Sequence, residues 1–538
     1  MEFAVSFLLG VFLTVICIHS LRTYAGSLGL VDLPSPRKHQ VRAVPRVGGI
    51  GIALSGIAAT VLFVESLPVQ VPFVLACIVI LIVGVVDDKI ELNYKYKLLT
   101  QIIAISICVF AGFRFHYFPF FGVDELPTWL SIVVTYLFLL GVTNAVNLSD
   151  GLDGLAGGCT LITLGAIAVL SIGTGDGFIL PIALAIMGGI FGFLRYNSYP
   201  ATLFMGDAGS QFLGFSVGFL AMHLVNDTNT ALSPSLPFLL VGLPMIDTVA
   251  VFIRRLLLKR SPFIGDRQHL HHRLLDRGLT HAETVSVIYL VQSALVGFAY
   301  FARYESDILL VGVLIGVGSL FVGVIYLMET RNLRIEQFTT FRIDSTRLAF
   351  LRNGFTYKFR TIAAYSLFSI YAAYILFSAS FNTTAYSQIA VFAVVVSVAS
   401  LLGYFLFRRY SLNFVRLAAY VALLISLPLI SSNQESSALA SDVSDILIFV
   451  IIIMILIVFI LHNVELSVTP QDLIILFIIV SIALLPSSVW NDLPVARTAI
   501  YLASLYYALE YVIQTKSLKI PAMLVSIISL LVVSSAFI

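Results

Sequence analysis

The chain has 538 residues, of which 59% are hydrophobic and 11% are charged. Soluble domains carry about 25% charged residues, so this composition excludes an ordinary soluble fold. The net charge is +2 and there is no basic tract of the kind that nucleic-acid-binding proteins carry, so we expect no nucleic-acid partner. Apolar runs of about 17 to 25 residues recur along the chain and are long enough to cross a bilayer as helices. We therefore predict an all-α, polytopic membrane protein.

Eleven apolar runs predict membrane helices in the first part of the chain. The first run follows Glu2 without a basic flank, so we interpret it as a membrane helix and not as a removed signal peptide. The predicted helices lie near 3–19, 48–65, 71–86, 98–113, 128–146, 157–173, 178–194, 209–225, 235–257, 283–302 and 308–328.

A basic segment at 331–362 divides the chain into two membrane parts of different character. Seven further apolar runs follow it, which brings the predicted total to about eighteen helices. We predict a functional membrane domain at 1–330, a basic cytoplasmic linker at 331–362 and a second membrane domain at 363–538. The second domain shows no polar cluster with a recognisable chemistry, so its function is left open.

The distribution of basic residues predicts the orientation of the helices. When the N-terminus is placed outside and the helices alternate, all but three of the 31 Lys and Arg residues lie on the inner side. The exceptions are Arg114, Arg303 and Arg497. This asymmetry follows the positive-inside rule, so we predict that the inner side is the cytoplasmic side.

Five clusters of polar residues lie at the inner ends of the first ten predicted helices. Acids, amides, imidazoles and basic groups are costly at membrane depth and usually mark function. Because all five clusters lie on one face, we predict that they form a single site. The residues that we select from them are Lys38, Asp87, Asp88, Lys97, Asn144, Asn147, Asp150, Asp153, Phe204, Asp207, His269, His271, His272 and Arg273.

The chemistry of this set is typical of phosphoryl transfer. Five carboxylates near one membrane surface would repel one another, so a divalent cation is their natural partner. Oxygen ligands favour Mg²⁺, with Mn²⁺ as the alternative, and Mg²⁺ usually binds one or two carboxylates together with substrate phosphates. Lys and Arg side chains on the same face can neutralise phosphate charge. The histidines could instead form a zinc site, which we favour less because Arg residues surround them and no Cys accompanies them.

Two motifs carry a resemblance to a known family. The pattern N-x-x-N-x-x-D-G-L-D-G-L-A at 144–156 and the pattern F-M-G-D-x-G-S at 204–210 resemble the polyprenyl-phosphate N-acetylhexosamine-1-phosphate transferases, the family that contains MraY, WecA and TagO. The resemblance covers about residues 1–330, and the membrane part beyond it is an addition to the ten or eleven helices of the family. The His-Leu-His-His-Arg-Leu stretch at 269–274 resembles the WecA/TagO branch, which argues against a muramyl-pentapeptide substrate.

The resemblance implies a role for most of the selected residues. Asp207 would bind Mg²⁺, and Asp87 or Asp88 would deprotonate or orient the polyprenyl phosphate. Lys97 would meet phosphate, and Phe204 would stack on uracil. The nucleotide pocket would be lined by Asn144, Asn147, Asp150 and Asp153. The diphosphate would be bound, or the transfer assisted, by His269, His271 and His272. Apart from the resemblance, Lys38 and Arg273 lie on the same predicted face, and we expect their positive charge to bind the substrates.

The resemblance also implies a reaction and a location. A sugar 1-phosphate, with N-acetylhexosamines as the expected sugars, would pass from a UDP-sugar to undecaprenyl or another polyprenyl phosphate with release of UMP. The site would face the cytoplasm of a bacterial inner membrane and begin a surface glycan such as O-antigen, capsule, exopolysaccharide or teichoic acid. Partners besides the two substrates and membrane lipids would be a second copy in a homodimer and downstream glycosyltransferases. The alternative from another class, a transporter or flippase for a lipid-linked sugar, predicts polar groups at mid-membrane and on both faces.

Overall fold

A computed structural model of the chain describes residues 2–33, 43–117, 119, 125–172, 174–175, 177–259, 268–333 and 369. Lys38 lies outside the described residues, as do nearly all of the predicted linker and the seven predicted helices beyond it. The predicted domain boundaries and the total of about eighteen helices therefore stay predictions.

The described part of the chain is almost entirely helical, with one short hairpin. Strands β1 (Val31–Asp32) and β2 (Val44–Pro45) pair antiparallel. The helices are α1 (Glu2–Leu28), α2 (Gly48–Phe63), α3 (Leu67–Ile90), α4 (Tyr94–Phe110), α5 (Thr128–Ser149), α6 (Leu155–Ser171), α7 (Ile179–Asn197), α8 (Gly206–His223), α9 (Leu236–Leu240), α10 (Gly242–Leu257), α11 (Leu270–Asp276), α12 (His281–Phe301) and α13 (Asp307–Thr330). One π-helical turn, Leu224–Thr228, continues α8.

Seven of the described helices are long and apolar enough to cross a membrane, and α2 and α6 are shorter apolar helices. The chain is therefore a multi-pass membrane protein, as its composition predicts. A backbone polar group that is left unpaired in lipid is very costly, and a helix pairs all of its own groups. This explains why the apolar runs of the sequence became helices.

Each of the eleven predicted helices has a counterpart in the structure, although the bounds of several, such as α3 and α4, differ by a few residues; four differences are larger. The first helix continues to Leu28, nine residues beyond its predicted end. The run 235–257 is two helices, α9 and α10, that are separated at Val241. Helix α11 was not predicted because its seven residues, four of them polar, are too few for a periodic pattern. The all-α prediction is correct apart from the hairpin of β1 and β2, whose two-residue strands are below the length that alternation can reveal.

Helix α8 is the centre of the described fold. Every residue from Ala208 to His223 is buried, and the helix packs against α2, α3, α5 and α6. Phe73 of α3 meets Phe215 and Phe219 of α8 in close ring contacts. Near its first turn, Gly209 lies so close to Gly49 of α2 that a side chain on either would overlap the other helix. The start of α8 is thereby held tightly between its neighbours, which fixes the position of Asp207.

The break between α9 and α10 is closed by a side chain from α12. Gln292 is fully buried and donates to the Leu240 carbonyl at 2.8 Å and to the Thr163 hydroxyl at 2.9 Å. Its own carbonyl accepts from the Leu243 amide at 3.1 Å. Gln292 thus pairs backbone groups on both sides of the break that the helix itself cannot pair.

Polar contacts also anchor the end of the bundle opposite to the start of α8. Asp307, the first residue of α13, accepts hydrogen bonds from the hydroxyls of Ser233 and Ser235 at 2.8 and 2.6 Å. Asn226 accepts from the His116 amide at 2.7 Å. These contacts tie the loops at that end to the helices.

Candidate active site

The site begins where α3 ends against the first turn of α8. Both carboxylate oxygens of Asp88 accept backbone amides of α8, from Asp207 at 2.8 Å and from Ala208 at 3.1 Å. Asp88 therefore caps α8, because the first amides of a helix have no partner inside it. Gly206 has φ of +74° and lies against the Asp88 carboxylate, where a side chain would collide with it. This arrangement explains the glycine before Asp207.

A lysine joins the two other carboxylates of this cluster. The ammonium of Lys97, on α4, lies 2.5 Å from Asp87 Oδ2 and 2.6 Å from Asp207 Oδ2. The Asp87 side chain is almost fully buried, whereas that of Asp207 is 30% exposed. Asp87 also accepts the Leu92 amide at 2.7 Å. Three helix ends therefore place two negative charges and one positive charge at a single point.

Arg46 adds a second positive charge to this cluster. It follows β2, forms an ion pair with Asp32 of β1, and interacts electrostatically with Asp88 and Asp207. The hairpin of β1 and β2 thus places a guanidinium beside the start of α8. Lys38 lies in the sequence between the two strands, outside the described residues.

Amides lie next to the carboxylates, deeper in the bundle. Asn144 of α5 donates to Gln101 of α4 at 2.8 Å, and Gln101 in turn donates to Gln211 of α8 at 3.2 Å. One turn further along α5, Asn147 accepts the Ser210 hydroxyl at 2.6 Å. These bonds join α4, α5 and α8, so Asn144 and Asn147 brace the walls of the site.

The loop between α5 and α6 carries two further carboxylates. Asp153 accepts the Ala201 amide at 2.9 Å, and burial raises its pKa. Burial, together with the charges of Asp207, Asp88 and Asp153, raises the pKa of Asp150 to about 7. Asp150 is therefore within electrostatic reach of the cluster at the start of α8, which places the loop beside it.

Phe204 is positioned by the backbone immediately before Asp207. Its amide donates to Pro45 at 2.8 Å, its carbonyl accepts from Gly48 at 3.0 Å, and the segment pairs with Arg46 as an isolated parallel bridge. The residue is half-buried. A ring at this point can present one face to a flat ligand.

The histidines lie on or beside the short helix α11, which an acid of α10 holds in place. Asp247 is buried, accepts the Leu270 amide at 2.9 Å and lies 3.0 Å from His269 Nδ1. A carboxylate on one ring nitrogen fixes the orientation of an imidazole, so the other nitrogen of His269 is aimed by Asp247.

His271 joins the histidines to the loop of Asp150. Its ring packs on His272, with centroids 4.2 Å apart, and its Nε2 atom lies against Gly151. Burial, and then the neighbouring His272 and His269, lower the pKa of His271 to about 3. The ring is therefore neutral at ordinary pH. Nε2 is buried and has no hydrogen-bond partner among the described residues, so a polar group that reached it would complete its hydrogen bonding.

The positive charge of Arg273 is paired with an acid of the same chain, so Arg273 does not add a separate positive charge to the carboxylate cluster. Its guanidinium forms a two-pronged ion pair with Glu329 of α13, at 2.7 and 3.1 Å, and its side chain is 8% exposed. Arg254 of α10 lies 3.7 Å from the same carboxylate. The sequence predicts Arg273 as a substrate ligand; in the structure its guanidinium pairs with Glu329, and its role toward a substrate stays a prediction.

The predicted site residues that the structure describes lie in the carboxylate cluster, in the amide walls, in the segment just before α8, or along the loop and His helix joined to them; Arg273 lies on the His helix but pairs with Glu329. Three neighbours were missed: Arg46, Asp247 and Glu329. Asp247 could have been found, because a carboxylate inside an apolar run is costly without a purpose. Glu329 could not, because its importance depends on a contact with a residue 56 positions away.

The carboxylates suit a divalent ion that is shared with a substrate. Asp87 and Asp207 already converge on one cation, the Lys97 ammonium. Within the described ranges, no group of three or more His, Cys, Asp or Glu residues is close enough to hold a metal alone. Mg²⁺ commonly accepts one or two carboxylates and completes its shell with phosphate oxygens and water. The residues present fit that mode of binding, with Asp207 as the more accessible ligand.

Comparison with known proteins gives matches across the part of the chain that contains this site. Residues 71–225 match the model of the glycosyl transferase family 4. The chain is 36% identical over 292 residues to a Bacillus subtilis protein named "Probable undecaprenyl-phosphate N-acetylglucosaminyl 1-phosphate transferase", covering 53% of this chain and 81% of that one. It is 35% identical to a decaprenyl-phosphate N-acetylglucosaminephosphotransferase of Mycolicibacterium smegmatis, over 50% and 74% of the two chains. It is 29% identical to an Escherichia coli K12 undecaprenyl-phosphate alpha-N-acetylglucosaminyl 1-phosphate transferase, over 55% and 83%.

Proposed function

The chain belongs to the glycosyl transferase family 4 of polyprenyl-phosphate sugar-1-phosphate transferases, and from that membership we propose that it transfers N-acetylglucosamine 1-phosphate from UDP-N-acetylglucosamine to undecaprenyl phosphate. The sequence alone left several N-acetylhexosamines open. The named relatives act with N-acetylglucosamine, which supports this sugar.

The observation that carries the proposal is the convergence of Asp87, Lys97 and Asp207 at the end of a membrane helix bundle. A lipid phosphate and a soluble nucleotide can meet only at a membrane surface. Paired carboxylates and an ammonium at that surface are suited to bind phosphate oxygens and their counter-ion. Mg²⁺, when bound at Asp207, would neutralise charge on the diphosphate.

In the reaction, an oxygen of the lipid phosphate attacks the β-phosphorus of the UDP-sugar. A new P–O bond forms, the bond from the β-phosphorus to the bridging oxygen breaks, and UMP leaves with the bonding electrons. Asp87 is a better candidate than Asp88 to orient the attacking phosphate, because it shares Lys97 with Asp207, whereas both oxygens of Asp88 cap α8. Lys97, within contact of Asp87, supplies positive charge for the same phosphate. Positioning and charge stabilisation account for most of the catalysis.

The nucleotide occupies the side of the site formed by Asp150, Asp153 and Phe204. The half-buried ring of Phe204 stacks on uracil, which is worth about 1–3 kcal/mol in comparable contacts. His271, with its neutral ring beside Gly151, donates a hydrogen bond to the diphosphate beside that loop. Asp247 keeps His269 oriented toward the same region.

The transporter alternative finds less support. It predicts polar groups at mid-membrane that could bind a passing sugar. Gln292 is buried at such a depth, and its side-chain amide forms hydrogen bonds with Leu240, Leu243 and Thr163. It therefore bridges the break between α9 and α10 and does not line a transport path.

The proposal places the site on the cytoplasmic face of a bacterial inner membrane, because the UDP-sugar is made in the cytoplasm and the basic residues concentrate on that side. The product would begin a cell-surface glycan. A homodimer and downstream glycosyltransferases are the expected partners.

The test is an assay of the purified full-length protein with undecaprenyl phosphate, Mg²⁺ and a panel of UDP-sugars. We expect UMP release that requires both the lipid phosphate and UDP-N-acetylglucosamine, with a lipid product whose mass corresponds to undecaprenyl diphosphate N-acetylglucosamine. UDP-N-acetylgalactosamine and UDP-glucose are the matched controls. Turnover with another UDP-sugar alone would refute the assigned sugar, and the absence of lipid-dependent UMP release with every UDP-sugar would refute the reaction.

A further inference from the structure

The inner end of α13 is tied to the helix that bears the histidines. Glu329, next to the last residue of α13, holds the Arg273 guanidinium through two hydrogen bonds of 2.7 and 3.1 Å. Arg277, one turn along, donates to the Met328 carbonyl at 3.4 Å. Arg273 lies at the middle of α11 and Arg277 directly follows the helix, so α11 is fastened to α13 from its middle to its C-terminal end.

Helix α11 needs such fastening because it is only seven residues long. Isolated helices shorter than about 12 residues are unstable in water, so tertiary contacts must hold this one. Asp247 holds its beginning through His269 and Leu270. The Glu329–Arg273 pair holds its middle, and His271 and His272 lie between these two anchors.

The Glu329–Arg273 pair is half enclosed, which makes its contribution larger than that of an ordinary surface pair. The Arg273 side chain is 8% exposed and that of Glu329 is 20% exposed. Charge-assisted, two-pronged pairs of this kind also fix direction, because the planar guanidinium must lie in the plane of the carboxylate. A change of Glu329 therefore leaves Arg273 partly buried without its partner.

We propose that Glu329 is a positioning residue for the transferase reaction: through Arg273 it sets the place of His271 and His272 beside the loop of Asp150. The inference rests on the proposed function for its kinetic consequence. Its structural consequence, the fixed and buried position of His271, is independent of which reaction the protein performs.

The experiment compares Glu329→Gln with Asp307→Asn in the full-length purified protein. Both acids anchor an end of α13, Glu329 to α11 and Asp307 to Ser233 and Ser235 at the opposite end. We expect Glu329→Gln to lower kcat roughly tenfold with the KM for the UDP-sugar within about twofold of wild type. Asp307→Asn should keep wild-type kcat, and Glu329→Asp should recover at least about a third of it. Equal loss of kcat in the Glu329→Gln and Asp307→Asn variants would mean that tethering of α13 alone matters, which overturns the proposal.

A second substitution tests whether Arg273 is the link. Arg273→Gln added to Glu329→Gln should lower kcat by less than about twofold more, because the two residues act as one unit. A full further loss would show that Arg273 acts by itself on substrate and would also overturn the proposal.

The reactivity of His271 provides a measurement that does not depend on turnover. Diethyl pyrocarbonate modifies accessible neutral imidazoles, and mass spectrometry of peptides reports the modified residue. We expect His271 to be modified several-fold faster in Glu329→Gln than in wild type or Asp307→Asn. Unchanged modification would refute the positioning role even in a well-folded variant. If the wild-type protein shows no transferase activity at all, the proposed function fails while this measurement still decides the position of His271.

Discussion

At the scale of single residues, Asp207 is the side chain whose charge matters most. It is the more exposed of the two carboxylates that share Lys97, and its position is fixed by the Asp88 cap behind it. Asp207→Asn keeps the shape and removes the charge. We expect UMP release to fall by roughly three orders of magnitude, a loss comparable to that of a major charge-stabilising group, while the melting temperature in detergent changes little.

Asp227→Asn is the matched control for this substitution. Asp227 lies in the π-helical turn that continues α8 at its far end and pairs with His223 at 3.0 Å. The control should retain near wild-type UMP release. Wild-type turnover in the Asp207 variant at ordinary Mg²⁺ concentrations would remove Asp207 from the metal site.

Asp150 should make the stability of the substrate-free protein depend on pH. Its folded pKa of about 7 lies above its ordinary value of 3.8. Between these two values the folded protein holds a proton that the unfolded chain has released, so stability falls as pH rises through this interval. Asp150→Asn removes the charge, and we expect it to raise the melting temperature by a few degrees at pH 8 and by less at pH 5.

The measurement is thermal unfolding in detergent without UDP-sugar or divalent cations, since both would stabilise the charged form. Asp276→Asn, which changes an exposed carboxylate on α11, is the control and should shift the melting temperature equally at both pH values. A gain from Asp150→Asn that is larger at pH 5 than at pH 8 would show the opposite sign of the shift.

Much of the site could be foreseen at this scale, because the residues that form it lie within short motifs. Asp207 and Phe204 are three residues apart, and Asn147 and Asp150 belong to one pattern. The sequence could not show that Asp88 caps α8 while Asp87 faces Lys97, since that difference arises from how α3 meets α8. Pairings between distant segments, such as Asp247 with His269, were likewise invisible.

At the scale of helices, the break between α9 and α10 depends on Gln292. Gln292→Leu keeps much of the volume and removes three hydrogen bonds at a buried site. The Leu240 carbonyl keeps its hydrogen bond from the Thr163 hydroxyl, but the buried Leu243 amide loses the partner that Gln292 supplies, and leaving such a group unpaired costs about 1–3 kcal/mol. We expect a lower melting temperature in detergent, by several degrees, and an unchanged KM for the UDP-sugar because the break lies away from the nucleotide loop.

Gln292→Glu is the companion variant, because a glutamic acid keeps an oxygen acceptor for the Leu243 amide. It should destabilise the protein less than Gln292→Leu at acidic pH, where the carboxyl group is protonated and can donate one hydrogen bond. An unaltered melting temperature in Gln292→Leu would mean that the break is held by packing alone.

Apolar length was sufficient to foresee the long helices, because each of them must bury its own backbone polar groups in lipid. It could not locate the break in the run 235–257, whose residues are apolar on both sides of Val241. Pro244 was the one local sign, since a proline in the first turn of a helix removes no internal hydrogen bond. The sequence did not indicate helix α11, because its contacts with Asp247 and Glu329, and not its own composition, stabilise it.

At the scale of the whole molecule, the orientation in the membrane can be tested with single cysteines. Glu305 and Asp276 are exposed residues of the loop before α13 and of α11, respectively, at opposite ends of the bundle. In a background without the four native cysteines, Glu305→Cys should react with an impermeant maleimide from outside intact cells. Asp276→Cys should react only after the membrane is opened. Labelling of Asp276→Cys in intact cells would reverse the predicted topology.

The second membrane part should be dispensable for the transfer reaction. The site residues that the structure describes all lie between Arg46 and Arg273, and the anchor for α11 is complete at Glu329. The match to the relative from Bacillus subtilis covers 53% of this chain and 81% of that protein. The relative therefore lacks a counterpart to much of the second membrane part. We therefore expect a chain that ends after about residue 335 to insert into the membrane and to release UMP with a kcat near that of the full chain.

A second truncation, after Val324, sharpens this test because it removes Glu329 together with Met328 and leaves α11 without its partners on α13. We expect it to insert but to lose most of its activity, whereas the longer truncation keeps both contacts. The two should be expressed beside the full chain, matched for membrane yield, and assayed for lipid-dependent UMP release. If the chain that ends after residue 335 inserts well yet is inactive, residues beyond 335 complete the active site, and the division into a transferase part and an added part is wrong.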